Sequence, residues 1–524
     1  MLYISSHWQP KEGSHSDPAL TRTLKLPRIF VTLAVPTLQA AENLVTKLAL
    51  PHVGYELRLD YLRDISEVET QLRPLLTALR FPPVIATCRR ARAGGLFRGT
   101  VSEQIAILKS AAQSGCQWVD LEWDSLDRSG GGAIDEFGPA KVIVSHHNYR
   151  QTPPLAPLYR RLARSHAQVV KIATHARHLR DNVKIYSLLK AHHPRKPKLV
   201  AFGLGPSGIP SRLLALRWGS AFTYASAGSS MAVAAGQLPV EVVRAVYRAD
   251  RLDRRSLLFG VVGSRASISL SPAMQNMAFQ AKRVNAVYLP CETPRFRDFV
   301  AFARALGFAG FSVTMPFKRA VMRELDWVDP LAMRIGACNT VAVQHGRWMG
   351  WNTDAAAIIE VVSKRLRLAG SVILILGSGG AARAAAYALR TEGVNVLIAA
   401  RREAAAKRLA RAVSAQIVPW DSVDGLEVDA VVNATPVGMA PHPQSSPLDL
   451  SRLRARVVFD MVYHPLETRF LADARGRGMI TISGIEMLVA QGARQFEIWT
   501  GLAAPRALME QAARHALSQS SSHS

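Results

Sequence analysis

The segments KVIVSHHN (residues 141–148) and VVKIAT (residues 169–174) decide the fold of the first half of this chain. Both are rich in Val and Ile and about as long as a strand, and a helix-like segment lies between them, so we predict neighbouring parallel strands. His147 ends the first strand, and Lys171 lies inside the second. Burying an ammonium is costly unless it is paired or loses its proton. Lys171 is therefore either an edge residue with its amine in water or a partly neutral nucleophile.

Strand-like segments of this kind recur along the first half and alternate with amphipathic helical patterns. Eight strands alternating with helices over about 225 residues are what an eight-fold β/α barrel requires. We therefore predict an α/β protein that begins with a (β/α)8 TIM barrel. The eight strand segments are RIFVTLAV, VGYELRLD, PVIATCRR, WVDLEWD, KVIVSHHN, VVKIAT, KLVAFGLG and AFTYASAG.

Polar residues gather where these predicted strands end. In a barrel of this type the chemistry sits at the carboxyl ends of the strands, so this placement predicts an active site there. The polar residues at or after the strand ends are Glu56, Arg58, Asp60, Arg89, Arg90, Asp120, Glu122, His147, Lys171, Ser211, Arg212 and Gln237.

These segments resemble the type I 3-dehydroquinate dehydratases through ELRLD, SHHNYRQTP, VKIAT, GPSGIPSR and AGQ. The resemblance implies that Lys171 forms an imine with the ring ketone of 3-dehydroquinate, while His147 moves protons for imine formation, elimination and hydrolysis. It also implies that Arg212 binds the substrate carboxylate through a bidentate contact of its guanidinium. The further substrate-binding residues that it implies are Glu56, Arg58, Arg89 and Gln237.

Two positions depart from this family's pattern. Ala93 stands where the family has a glutamate that orients the catalytic histidine, and Val233 stands where it has a serine. Without an orienting carboxylate, an imidazole can take the wrong tautomer or be poorly placed. We hypothesise that Glu122 takes over that role for His147.

The second half begins with a small α/β unit. LLFGVVGS, VNAVYLPC and GFSVTMP are predicted strands that alternate with helices, and the hairpin-like segment CNTVAVQHGRWMGWNTD follows them.

The segment SVILILGSGGAARAAAYALRTEGVNVLIAARR (residues 371–402) then predicts a Rossmann dinucleotide-binding domain. Its first strand runs into Gly377, Gly379 and Gly380, whose bare backbone can approach a pyrophosphate at the N-terminus of a helix. The second strand ends in Arg401 and Arg402, with no acid to bind a free ribose hydroxyl. We therefore predict that this domain binds the 2′-phosphate of NADP.

These motifs resemble shikimate dehydrogenase, through SLSPAMQN, SVTMPFK, ACNT, WNTD, NATPVGM, DMVYHP and GIEMLVAQ. The resemblance implies hydride transfer from NADPH to the ketone of 3-dehydroshikimate. Lys318 would give or position the proton for the developing alkoxide, and Asp354 would hold that ammonium. The substrate-binding residues that it implies are Ser269, Ser271, Thr314, Asn339, Tyr463 and Gln491. The cofactor-binding residues are Gly377, Ser378, Gly379, Gly380, Ala381, Ala382, Arg401, Arg402, Asn433, Thr435 and Gly484.

Composition limits the partners. The net charge of +26 favours anionic partners such as carboxylates and phosphorylated cofactors, and because the arginines are spread over helical segments we predict no nucleic-acid partner. No apolar run reaches the ~18 residues of a membrane span. The first 26 residues carry no signal-peptide pattern. We therefore predict no membrane partner and a cytoplasmic location. The four cysteines form no CxxC pair, and no metal site is predicted.

The chain is predicted to divide into five parts with almost no linker between the halves. These are an N-terminal tail (1–26), the dehydratase barrel (27–253), a substrate-binding domain (256–358) completed by C-terminal helices (486–516), the NADP-binding domain (359–485) and a disordered tail (517–524). The oligomeric state stays open.

The two resemblances imply consecutive reactions, because the first half would produce the ketone that the second half reduces. We interpret the chain as a bifunctional shikimate-pathway enzyme that acts on 3-dehydroquinate and 3-dehydroshikimate with NADPH. One alternative is a shikimate or quinate dehydrogenase whose barrel, with Ala93 and Val233, is a scaffold. Another is a metabolite-sensing regulator built on the same modules.

Overall fold

The structure is a computed structural model, and it describes residues 26–78, 83–129 and 132–521. Nearly all of the predicted N-terminal tail lies outside the described residues. Within them, no helix has both the length and the apolar character needed to cross a membrane.

The first half forms an eight-stranded parallel sheet within the described residues, with the order β7-β6-β5-β4-β3-β2-β1-β8. No ladder joins β7 to β8 in the described part of the chain, but the Ala221 N–H donates to the Leu199 carbonyl across that gap at 2.9 Å. The predicted barrel is confirmed as a nearly closed one. Its strands are β1 (Ile29–Leu33), β2 (Gly54–Arg58), β3 (Val84–Thr87), β4 (Trp118–Glu122), β5 (Lys141–Asn148), β6 (Val169–His175), β7 (Lys198–Leu204) and β8 (Thr223–Ser226).

Helices cover the outside of this barrel. The Thr100 hydroxyl accepts from the Glu103 N–H while Glu103 reaches back to the Thr100 N–H, and this capping box starts the fourth helix. The connection between β4 and β5 holds only a six-residue helix and a 3-10 turn at Gly132–Phe137. The helices are α1 (Leu38–Leu48), α2 (Glu67–Thr70), α3 (Leu72–Ala78), α4 (Val101–Gln113), α5 (Trp123–Arg128), α6 (Leu155–Leu162), α7 (Asp181–Lys190) and α8 (Ile209–Trp218).

The small α/β unit is a mixed sheet with the order β10-β9-β11-β13-β14-β12. The predicted hairpin is present, since β13 and β14 pair antiparallel. The strands are β9 (Leu257–Gly263), β10 (Ala286–Glu292), β11 (Gly310–Val313), β12 (Trp327–Val328), β13 (Thr340–Gln344) and β14 (Arg347–Trp351). The helices are α9 (Ser271–Ala281), α10 (Phe296–Leu306), α11 (Pro330–Ile335) and α12 (Thr353–Ser363).

The third sheet is parallel, with the order β17-β16-β15-β18-β19-β20. The chain reverses its direction of growth between β15 and β18, and such a switch point is where doubly wound sheets bind their ligands. The strands are β15 (Val372–Leu376), β16 (Asn395–Ala399), β17 (Gln416–Ile417), β18 (Glu427–Asn433), β19 (Arg454–Asp460) and β20 (Ile480–Ile482). The helices are α13 (Gly380–Thr391), α14 (Glu403–Val413) and α15 (Arg469–Gly476).

Two C-terminal helices, α16 (Gly484–Thr500) and α17 (Arg506–Ser521), return to the small α/β unit. Phe496 of α16 and Met509 of α17 pack with Phe279 of α9 in one core cluster. Leu517 is only 4% exposed in the same cluster, and the helix continues to Ser521. Residues 517–521 of the predicted disordered tail are therefore helical, and residues 522–524 lie outside the described residues.

The two halves contact each other along α8 and the turn before it. The Ser207 hydroxyl, in the turn between β7 and α8, donates to the Glu292 carbonyl at the end of β10 at 3.1 Å. The Arg217 guanidinium of α8 donates to the Ser256 carbonyl just before β9 at 3.1 Å. The short predicted linker is therefore accompanied by direct bonds between the halves.

Candidate active sites

Lys171 lies on β6 with its amine buried inside the barrel. The amine Nζ donates to Asp120 Oδ2 at 3.0 Å and to Glu56 Oε1 at 3.2 Å, and the Tyr224 ring centroid lies 3.9 Å away. The side chain is only 4% exposed. The structure thus excludes an edge lysine with its amine in water and leaves the paired, buried amine.

Asp120 on β4 joins this amine to Arg89. Its Oδ1 accepts from Arg89 Nη2 at 2.9 Å and from the Ser145 hydroxyl at 2.6 Å. Burial acts to raise the pKa of Asp120, but Arg89 and Lys171 outweigh burial and hold that pKa well below its usual range. The carboxylate is therefore ionised and binds two cations at once.

Glu56 on β2 is held by hydroxyl groups on its neighbouring strands. Thr32 donates to Oε2 at 2.9 Å, and Thr87 donates to Oε1 at 3.2 Å. The Gln237 amide donates to the Thr32 hydroxyl at 3.0 Å, which joins it to the same network. The structure therefore brings the predicted residues Glu56, Gln237 and Lys171 together.

His147 follows Ser145 by two residues on β5, so both side chains point into the barrel. Ser145 is the register partner of Lys171, which places the imidazole on the neighbouring strand just beyond that amine. His147 Nδ1 is buried without a hydrogen-bond partner among the described residues. Burial, together with the charges of Arg89 and Lys171, holds the pKa of His147 well below its usual range. The imidazole is neutral at pH 7.

Glu122 does not orient this imidazole, so our hypothesis on Glu122 is wrong. Its Oε1 accepts from the Arg90 N–H at 2.9 Å, and its Oε2 accepts from the Gln104 amide and the Ser125 hydroxyl. The physical reason is position: the carboxylate lies at the end of β4, where α4 and the segment after β3 enclose it.

Arg212 on α8 is a buried cation without a partner. Within the described residues, Nε and one Nη of its guanidinium make no hydrogen bond, although the residue is only 5% exposed. The group lies 4.6 Å from the Phe202 ring, and burial lowers the pKa of Arg212 to about 10. Such a group fits an anionic ligand group. Arg58, by contrast, is already bound to Asp60 by two hydrogen bonds of 2.8 and 2.7 Å.

In the second half, Lys318 and Asp354 form an ion pair. Lys318 Nζ donates to Asp354 Oδ2 at 2.6 Å, and the side chains are 24% and 10% exposed. Asn352 caps α12 by accepting from the Ala355 N–H, and this cap places Asp354 in the first turn of the helix. A partly open ammonium next to a buried carboxylate can donate a proton or a hydrogen bond to a bound oxygen.

Asn339 fixes the position of this pair. Its Oδ1 accepts from the Thr353 N–H at 2.8 Å, and its Nδ2 donates to the Thr353 hydroxyl at 3.0 Å. Ser269 lies just before α9 and Ser271 is the first residue of that helix; the Ser269 hydroxyl accepts from the Ser271 N–H at 3.2 Å. The half-buried Thr314 follows β11, and its N–H donates to the Val262 carbonyl of β9 at 2.9 Å.

The glycine turn after β15 fits a dinucleotide. Gly377 has φ +116°, which a side chain would make strained, and its N–H donates to the Ala399 carbonyl at 2.8 Å. A Cβ added at Gly379 or Gly380 would meet no atom within 4 Å, and no side chain caps α13. The donors at this helix start are therefore open to a pyrophosphate. Arg401 and Arg402 are exposed after β16, the neighbouring strand.

The remaining predicted residues divide into exposed and buried groups. Asn433 is fully buried and donates to Asp460 at 2.9 Å, while the Thr435 N–H and hydroxyl donate to its Oδ1, so Asn433 shapes this loop. Ala382 is fully buried in the core, and a Cβ on Gly484 would lie 2.4 Å from the Val462 carbonyl oxygen. Ser378, Ala381 and Tyr463 are half-buried, and Gln491 is buried with its amide on the Leu488 carbonyl.

Several residues of these sites were missed from the sequence. All but Tyr149, which follows the end of β5, are polar or aromatic side chains inside an apolar strand or helix. An isolated polar residue at an inward strand position is the signal that could have found most of them. They are Thr32, Thr87, Ser145, Tyr149, Tyr224, Tyr288 and Gln495, together with Asp120, which we had noted only for its position.

Comparison with known proteins matches both halves. The family described as type I 3-dehydroquinase matches residues 29–254. The shikimate dehydrogenase substrate binding domain matches residues 261–341, and the shikimate 5'-dehydrogenase C-terminal domain matches residues 484–514.

Two individual proteins are similar to the second half of the chain. The chain is 43% identical over 269 residues to a shikimate dehydrogenase (NADP(+)) of Anaeromyxobacter sp. (strain Fw109-5), covering 49% of this chain and 95% of that protein. A crystal structure of shikimate 5-dehydrogenase from Thermus thermophilus with NADP(H) and shikimate is 38% identical and covers 50% of this chain and 100% of that one, with a TM-score of 0.47.

A relative that contains both halves is the chloroplastic bifunctional 3-dehydroquinate dehydratase/shikimate dehydrogenase of Arabidopsis thaliana. It is 33% identical over 480 residues, which cover 86% of this chain and 78% of that protein. The chain belongs to the family of bifunctional 3-dehydroquinate dehydratase/shikimate dehydrogenases.

Proposed function

We propose that the barrel dehydrates 3-dehydroquinate to 3-dehydroshikimate and that the second half reduces this product to shikimate with NADPH. The observation that carries the proposal is the buried Lys171 amine, paired with Asp120 and Glu56 beside a neutral His147. A lysine in this setting is suited to nucleophilic catalysis, because its carboxylate partners hold the amine in one position and the neighbouring neutral imidazole can accept its proton.

In the barrel, His147 takes a proton from the Lys171 ammonium, and the resulting neutral amine attacks the ring ketone. His147 returns that proton to the former ketone oxygen, which leaves as water and yields an iminium. The iminium acidifies the adjacent carbon. His147 takes the proton from that carbon and returns a proton to the departing β-hydroxyl, which leaves as a second water. Hydrolysis then frees Lys171. Arg212, with its unpaired donors, binds the substrate carboxylate. Glu56, Arg89 and Gln237 position the ring.

In the second half, NADPH supplies the hydride when it is bound. Backbone donors at Gly379 and Gly380 would hold its pyrophosphate, and Arg401 with Arg402 would hold the 2′-phosphate. Ser269 and Ser271 bind the substrate carboxylate, with Thr314, Asn339, Tyr463 and Gln491 around the ring. Lys318 donates a proton to the substrate oxygen, and Asp354 holds its ammonium in place.

The proposed limits of the domains remain those derived from the sequence, with the barrel at 27–253 and the NADP-binding domain at 359–485. A cytoplasmic location and the absence of a nucleic-acid partner also remain predictions. The name of the Arabidopsis relative calls that protein chloroplastic.

The test follows NADPH oxidation by the full chain, started from 3-dehydroquinate and, separately, from 3-dehydroshikimate. Turnover from both substrates is expected. Turnover from 3-dehydroshikimate alone would support the alternative of a dehydrogenase with a scaffold barrel, and turnover from neither would support the regulator. Borohydride reduction with 3-dehydroquinate should label Lys171, and a Lys171→Met variant should stay unlabelled.

A further inference from the structure

We propose that Tyr149 is a positioning residue for the dehydratase reaction: its ring fixes the plane of the His147 imidazole, and its hydroxyl fixes the ring. This inference rests on the proposed dehydratase function and extends it to a residue with no role in the reaction described so far. It starts from the imidazole, whose Nδ1 has no hydrogen-bond partner within the described residues. Without such a hydrogen bond the imidazole could rotate about its side-chain bonds, so another contact must fix the orientation of this general base.

The Tyr149 ring supplies that contact. Its centroid lies 6.1 Å from that of the His147 ring, with only 16° between the two planes. This is an offset-stacked pair, an arrangement that aromatic rings favour. Because the two residues lie two apart on the end of β5 and the segment after it, the stack also restricts how that segment can move.

The hydroxyl end of Tyr149 is tied to a second element. It donates to the Ala93 carbonyl at 3.1 Å, in the 3-10 turn Ala91–Ala93 after β3. This turn is closed by bonds from the Ala91 N–H to the Phe97 carbonyl at 2.8 Å and from the Phe97 N–H to the Arg89 carbonyl at 3.1 Å. The anchor of the ring is therefore a rigid loop.

The same loop begins at Arg89, which binds Asp120, and Asp120 binds Lys171. Tyr149 thus joins the imidazole to the framework that holds the nucleophilic amine. The distance between base and nucleophile, on which proton transfer depends, is set from both sides.

Gly94 shows how closely the loop and the ring fit. A Cβ built on Gly94 would lie 2.4 Å from the Tyr149 ring carbon Cζ, and Gly94 has φ +80°. A side chain at Gly94 would therefore push the ring out of place. This gives a second, independent way to disturb the stack without changing Tyr149.

The charges that face Tyr149 come from several elements. Burial raises the pKa of Tyr149, while Arg89 and Arg58 act to lower it and Glu122 and Asp120 act to raise it. The net direction is upward, so the hydroxyl keeps its proton at neutral pH and remains a donor.

The experiment compares Tyr149→Leu, Tyr149→Phe and Gly94→Ala in the full chain. Loss of the stack in Tyr149→Leu should lower dehydratase kcat about 10-fold with KM within about 2-fold. Tyr149→Phe keeps the ring and should lose only about 3-fold. The single variant Gly94→Ala should lower dehydratase kcat as much as Tyr149→Leu does. Combined with Tyr149→Leu, Gly94→Ala should lower kcat by less than a further factor of about 2, because the ring that it displaces is already gone.

The pH profile separates positioning from a structural role. Tyr149→Leu uncovers the imidazole, so the pKa of His147 should rise and the acid limb of kcat/KM should move to higher pH. Tyr149→Phe keeps the cover and should leave that limb in place. Dehydrogenase turnover by the same samples reports folding, and Tyr159→Phe, which removes a buried hydroxyl without a partner on α6, should leave dehydratase turnover unchanged.

If the wild type dehydrates 3-dehydroquinate and Tyr149→Leu has the same kcat and the same acid limb, the positioning role alone is overturned. Full additivity of Tyr149→Leu and Gly94→Ala would also overturn it. A wild-type chain that reduces 3-dehydroshikimate but cannot dehydrate 3-dehydroquinate would overturn the proposed dehydratase function, and the positioning role with it.

Discussion

Lys171 on β6 and Asp120 on β4 meet across the intervening strand β5, with 3.0 Å between Nζ and Oδ2 and almost no exposed surface on either side chain. The two residues are 51 positions apart in the chain. Their pairing places the proposed nucleophile in a fixed position inside the barrel, and it is the first contact to test.

Asp120→Asn removes the charge that faces this amine. Breaking a buried pair by removing one partner costs about 3–5 kcal/mol, because the other charge stays buried. We expect lower barrel stability in urea unfolding and dehydratase kcat/KM lower by at least about 100-fold. Asp127→Asn is the matched control, since Asp127 is exposed on α5, the helix that follows β4. Equal effects of the two changes would contradict the role of Asp120.

Arg212→Met should separate substrate binding from stability. Because the buried guanidinium leaves donors unpaired, an apolar side chain of similar length should keep or raise the melting temperature. It should also raise KM for 3-dehydroquinate about 100-fold, since a buried charge-assisted contact to the carboxylate is lost. Dehydrogenase KM for 3-dehydroshikimate serves as the internal control and should not change. A melting temperature that falls sharply would show that Arg212 has a structural partner.

Lys318→Ala should lower dehydrogenase kcat by about 10²–10⁴-fold with little change in KM, the range for loss of a positioned proton donor. Dehydratase turnover of the same sample should be unchanged. Lys364→Ala is the matched control, because Lys364 forms a helix-surface pair with Glu360 at 2.8 Å and is 55% exposed. A rise in KM alone would instead assign Lys318 to substrate binding.

Arg401→Ala with Arg402→Ala should raise KM for NADPH about 10-fold and leave KM for NADH nearly unchanged, because only NADPH carries the 2′-phosphate. Both arginines are exposed, so the fold should tolerate the change. Arg411→Ala, at an exposed position in the last turn of α14, controls for the general loss of positive charge. Equal increases for the two cofactors would argue against 2′-phosphate recognition.

Asp460→Asn should change how stability depends on pH. Burial raises the pKa of Asp460 to about 6, against about 3.9 in an unfolded chain. Between these pH values the folded form binds a proton on Asp460 that the unfolded form has lost. The contribution of this protonation to the free energy of unfolding is therefore complete below about pH 4 and falls by about 1.4 kcal/mol per pH unit up to pH 6. The melting temperature of the wild type should therefore fall relative to Asp460→Asn over that range. A constant difference from pH 4 to pH 7 would exclude the titration.

Local patterns were sufficient to predict where several of the proposed site residues lie in the fold. Lys171 inside an apolar strand, His147 at the end of the strand before it and the glycines after residue 376 all lie where the periodicity places them. The pattern failed for Glu122, which faces the Gln104 amide and the Arg90 backbone. It failed because a carboxylate at a strand end can face any of several loops, and the local sequence does not distinguish between them. Only the packing of the loops decides which one it faces.

The sequence by itself determined the order of strands and helices, the glycine turn, the arginines after β16 and the family. Only the tertiary structure decided which polar groups share a network: Asp120 with Lys171, Gln237 with Glu56 through Thr32, and Tyr149 with His147. The physical reason is that strand and helix signals are local, whereas these contacts join residues up to 205 positions apart. Such contacts depend on strand register and on closure of the barrel, which no local window of sequence contains.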